Sequence, residues 1–77
     1  MRIHRSLALA ERWHTLPPEV RRFVQGLRTT PRPQGAMTLP GRPNYYEEFI
    51  GGVWIGWLVD ETTGETIIAV GIVVDTE

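Results

Sequence analysis

Apolar residues follow a helical spacing before residue 29 and a strand-like spacing after residue 44. In the first part, Leu9 and Trp13 lie four apart with Ala10 beside them, which predicts one helix face from about Ser6 to His14. Ser6 is suited to cap it, because its hydroxyl can accept from the free amides of the first turn. The run Thr15-Leu16-Pro17-Pro18 breaks the chain. Proline tolerates the first turn of a helix, where no amide hydrogen is needed, so Pro17 or Pro18 opens a second one. Glu19 then meets the positive end of that helix's dipole. Val20, Phe23, Val24 and Leu27 form a single apolar stripe at i, i+3, i+4 and i+7. Arg21, Arg22, Gln25 and Arg28 occupy its other side as an expected solvated face. Thr29-Thr30-Pro31 ends the helix.

Residues 29–44 carry Pro31, Pro33, Pro40 and Pro43 together with Gly35 and Gly41, and read as a long irregular stretch. Loops of this length in a small domain are often functional. Ala36, Met37 and Leu39 are expected to tuck it onto the core. Beyond it, Tyr45 to Ile50, Val53 to Val59 and Thr66 to Val74 read as three strands. Gly51-Gly52 suits a tight hairpin, and Asp60 to Glu65 a second turn with Gly64 in a left-handed position. The product is an antiparallel meander.

The two faces of that meander carry a functional hint. In Val53–Val59, Val53, Ile55, Trp57 and Val59 point one way while Trp54, Gly56 and Leu58 point the other. Ile68, Val70, Ile72 and Val74 likewise oppose Ile67, Ala69 and Val73. Both faces are apolar, yet two helices can cover only one, and an open antiparallel face is usually polar. Either the long loop or a partner is expected to cover the second face. Trp54 and Leu58 are the candidate partner-binding residues, tryptophan being enriched at interface hot spots.

With 77 residues the chain allows one α+β domain, residues 1–77, with a small core. A core below about 80 residues rarely supplies more than roughly 3–5 kcal/mol, and many such chains draw on disulfides, a metal or a partner. The absence of cysteine excludes disulfides and fits a reducing cytoplasm, the expected location. Glu11 and His14 lie one turn apart without a third ligand, so neither metal nor cofactor is expected. The apolar run Leu7-Ala8-Leu9-Ala10 is too short for a signal peptide and is cut by Glu11-Arg12. No membrane-spanning run exists, so no membrane partner is expected.

The net charge of −1 hides a division. Residues 1–42 hold eight arginines against Glu11 and Glu19, a balance of +6, whereas residues 43–77 hold seven acidic residues and no basic one, −7. Such segregation suits a basic surface for nucleic acid or an acidic partner, or charges that neutralise across the folded surface. Arg32 and Arg42 flank the long loop and are the candidate nucleic-acid contacts. His4 can act as an acid or base near neutral pH, though a surface role is the commoner one. Tyr45 and Tyr46 could stack on bases, but adjacent Glu47-Glu48 disfavour a phosphate chain there.

Several segments together resemble the RelE/ParE family of bacterial toxins. Trp13-His14-Thr15-Leu16-Pro17 and the following helix are similar to that family's helical hairpin. Pro31-Arg32-Pro33-Gln34-Gly35 and Leu39-Pro40-Gly41 resemble its loop. Ile50 to Trp57 falls on its hairpin, and Ile67 to Val74 on its closing strand. The resemblance spans nearly the whole chain and implies a short first strand at Arg2–Arg5, a two-helix hairpin and then a three-stranded antiparallel meander. It also implies the toxin component of a type II toxin–antitoxin module, acting on the ribosome and mRNA to inhibit translation, or on DNA gyrase, and restrained by a cognate antitoxin. If such a toxin is an enzyme, it is a ribosome-dependent mRNA endonuclease.

The departures weigh on the chemistry. Trp54 stands where the family commonly has arginine, Glu47 follows Tyr46 where Tyr-Arg is frequent, and the end Val73-Val74-Asp75-Thr76-Glu77 lacks a basic or His-Tyr pair. Cleavage by an internal 2′-hydroxyl needs a base, an acid and a cation for the developing phosphorane charge. Those substitutions remove the cation, and catalytic residues are not assignable. A non-catalytic interaction module on the same fold, including a homodimer formed through the apolar face, is the alternative reading.

Overall fold

A computed structural model describes residues 2–62 and 64–73. Strand β1 (Arg2–Arg5) leads into α1 (Leu7–Arg12), a 3-10 turn at Trp13–Thr15, and α2 (Pro18–Gly26). Strands β2 (Met37–Leu39), β3 (Arg42–Ile50), β4 (Val53–Asp60) and β5 (Ile67–Ile72) follow. The sheet runs β1-β5-β4-β3-β2. Its β1–β5 pair is parallel and the remaining pairs are antiparallel, so the expected meander is the centre of a five-stranded mixed sheet.

Local chemistry explains the helix boundaries. Ser6 Oγ accepts the Leu9 amide at 3.2 Å and caps α1. The expected helix to His14 tightens into the 3-10 turn, whose end is closed from outside. The Arg21 guanidinium donates to the carbonyls of Trp13, His14 and Leu16, the last at 2.8 Å. Arg21 is therefore a structural clasp on the preceding turn, where the helix pattern predicted a solvated residue. Pro17 stands at the N-cap of α2 and Pro18 is its first residue.

The core lies between the helices and one sheet face. Leu9, Leu16, Val20, Val24 and Leu27 meet Ile55, Trp57, Val59, Ile68 and Val70, all buried. Trp57 is its centre, edge-on to Phe23 at 5.4 Å and stacked with Tyr46 at 5.8 Å. At Gly51 and Gly52, φ is +58° and +83°, the left-handed values that glycine admits without strain. Gly51 also lies so close to α2 that a Cβ there would stand 3.0 Å from Val20 Cγ2.

The long loop departs from expectation in two ways. Its second half forms β2 and the start of β3, joined by Pro40-Gly41 with Gly41 at φ +76°. Met37 does not tuck onto the core. It pairs with Glu47 across the ladder, so it stands on Glu47's face and is 48% exposed, while Ala36 packs inward. The expected last strand, Thr66 to Val74, is observed as Ile67–Ile72, and Val74 lies outside the described residues. Among the described residues no helix is long and apolar enough to cross a membrane.

Candidate functional site

The sheet face away from the helices is ordered into cross-strand rows. His4, Ala69, Leu58 and Tyr45 stand in register across β1, β5, β4 and β3. The next row is Gly71, Gly56, Glu47 and Met37. The third is Trp54 opposite Phe49, with the Val73 amide donating to the Trp54 carbonyl at 2.9 Å. Side-chain alternation puts all three rows on one face.

The middle row sets the shape. Two glycines side by side leave a furrow of about 450 Å³, lined in part by His4, Tyr45, Gly56, Ala69 and Val73. Gly56 is required there. An added Cβ would collide with the Tyr45 hydroxyl and approach Val73 Cγ2 to 2.8 Å. The Tyr45 ring thus leans over bare backbone, and its hydroxyl donates to Glu47 Oε2 at 2.8 Å. Partial burial, then the bond to the Glu47 carboxylate, pushes the Tyr45 hydroxyl above its ordinary value.

Large apolar side chains flank the furrow. Trp54 and Phe49 pack against each other at 5.4 Å and remain 37% and 56% exposed, and Leu58 is 43% exposed. Trp54 and Leu58, singled out from strand alternation, are therefore on one open face, on either side of Gly56. The long loop does not cover them. Phe49, Met37 and the Tyr45–Glu47 pair were missed. The same alternation along Tyr45, Glu47 and Phe49 carries the signal, had it been followed through β3.

Arg32 and Arg42 do not converge. Arg32 donates to Tyr46 Oη at 3.1 Å, Asn44 Oδ1 at 3.3 Å and Glu61 Oε1 at 2.6 Å, tying the loop to β3 and the β4–β5 turn. These bonds, Glu61's first, raise its already high pKa. Arg42 lies over the Tyr45 ring at 5.4 Å, beside the open face. His4 is exposed at the end of the first row. Glu11 and His14 are both exposed, and no group of three potential metal ligands occurs among the described residues.

No family model, curated protein or solved structure matches this chain.

Proposed function

We propose that this chain is a protein-binding domain of the toxin–antitoxin kind, which docks an antitoxin-like partner on the open face of its sheet. One observation carries the reading: Met37, Phe49, Trp54 and Leu58 are all exposed on the face that has no helix. Apolar side chains gathered in this way typically mark an interaction surface. The Glu47 carboxylate, set among them, favours a partner segment that brings apolar side chains and one cationic or hydroxyl donor. Arg32 supports binding over RNA cleavage, since its Nε and Nη2 donors are engaged within the domain and hold the guanidinium against Glu61.

The test is co-expression with the product of the neighbouring reading frame, followed by size-exclusion chromatography. A stable complex is expected, and Trp54→Glu should weaken it by at least about 2 kcal/mol, the usual loss at a tryptophan hot spot. A partner that binds the variant equally well overturns the reading. So does a concentration-dependent homodimer that Trp54→Glu disrupts, which gives the face to a second copy.

A second reading, a growth-inhibiting toxin acting on translation more than on gyrase, is favoured by the order strand, two helices, loop and hairpins. It expects growth arrest on expression alone, relieved by the partner. Ribosome-dependent mRNA cleavage against gyrase-mediated DNA breaks separates the targets. Normal growth under full expression sinks the toxin reading and leaves the interaction reading standing.

A further inference from the structure

On the helix side of the sheet, between β1 and α2, lies a cavity of about 410 Å³. It is lined by Ile3, Arg5, Trp13, Val24, Gln25 and Arg28, with no carboxylate among them. Two arginines, 23 positions apart in the chain, are thus brought to the lining of one concave site. The ion pairs among the described residues engage Arg2 and Arg32, not these two. The Arg5 guanidinium lies over the Trp13 ring at 4.5 Å. Arg28 follows the C-terminal end of α2, where the helix dipole favours a cation.

We propose that this cavity binds a nucleoside phosphate. Guanidinium forks match phosphate oxygens with paired, charge-assisted hydrogen bonds, so Arg5 and Arg28 take the phosphate. The cavity is larger than a bare anion needs and falls within the size range of small-molecule sites. Ile3 and the exposed part of Trp13 give its apolar wall, with buried Val24 behind them, and this suits the flat face of a base. Gln25 offers a side-chain amide that both donates and accepts, as recognition of a base edge requires. The site lies on the opposite side of the sheet from the Trp54 face and does not depend on the protein-binding reading.

Amide and indole NMR titration with AMP, GMP, CMP and UMP tests it, with inorganic phosphate as a control. Saturable shifts are expected at the Trp13 indole N–H, the Gln25 side-chain amide and Ile3, with Kd of about 1 mM or tighter for at least one nucleotide. Arg28→Gln should weaken binding by about tenfold, and Gln25→Ala should reduce discrimination among the bases, both with shift dispersion retained. A short single-stranded RNA that binds more tightly than any monophosphate assigns the phosphate to a strand; the reverse order assigns it to a free nucleotide. Absence of saturable shifts overturns the proposal. So do shifts unchanged in Arg28→Gln, or inorganic phosphate binding as tightly as every nucleotide.

Discussion

Tyr45 shows how one side chain's surroundings alter its chemistry. Its ring fills the space that Gly56 leaves open, and its hydroxyl bonds to the Glu47 carboxylate, so the neutral phenol is favoured in the folded chain. Below an unfolded value near 10.0, both states hold the proton. Above it the unfolded chain releases the proton first, so this contribution to stability falls as pH rises through the folded value. Ultraviolet titration of tyrosinate should show Glu47→Gln moving the Tyr45 transition to lower pH, because the charged acceptor that favours the phenol is gone. An unchanged titration in that variant would show that the bond is not maintained in solution. At the β4–β5 turn the opposite case holds: the Thr62 amide and hydroxyl bond to Asp60 Oδ1 and keep that carboxyl below its usual range.

Among the elements, the loop before β2 depends most on a single bond. Trp57 on β4 is fully buried, and its indole N–H donates to the Pro31 carbonyl at 2.9 Å. Trp57→Phe should therefore destabilise the domain by about 2–3 kcal/mol, from the lost bond, a carbonyl left without its donor and a partial cavity. Urea unfolding measures this, and amide exchange in residues 31–36 should rise in the same variant. A loss below about 0.5 kcal/mol would mean that the loop is held by other contacts. The stripe of α2, the Gly51-Gly52 hairpin and the two faces of β4 were legible in the sequence, because each has a clean period or a turn residue with one conformation. Strand β2 was not, since the four residues Ala36-Met37-Thr38-Leu39 between Gly35 and Pro40, all apolar or β-branched, carry no period. The parallel docking of β1 was also hidden from periodicity, because pairing between the two ends of a chain leaves no local mark; only the resemblance suggested the strand itself. Arg21 read as solvated because the carbonyls it caps belong to a neighbouring turn.

For the molecule as a whole, the charge division between the two halves resolves partly within the fold. Arg2 pairs with Glu65 at 2.9 Å and Arg32 with Glu61 at 2.6 Å, each joining the basic half to the acidic one. All four side chains are well exposed, so each pair is worth about 0–1 kcal/mol and specifies arrangement more than stability. Stability rests on the single core beneath one face of the sheet, and the other face keeps large apolar side chains exposed. Adjacent residues on β4 test that division directly. Val59 is buried against the helices, and Val59→Lys would place an unpaired ammonium in the core, a cost of several kcal/mol that a domain of this size does not survive. Leu58, one residue earlier, projects from the open face with 43% of its surface exposed. Leu58→Lys should unfold within about 0.5 kcal/mol of the wild type while lowering affinity for whatever occupies that face. Thermal and urea unfolding of the two variants side by side decide the matter. If Leu58→Lys unfolds the chain as Val59→Lys does, the second face is part of the core and its apolar residues are there for folding. If only Val59→Lys does, the chain keeps Trp54, Phe49, Met37 and Leu58 outside for a reason other than its own stability.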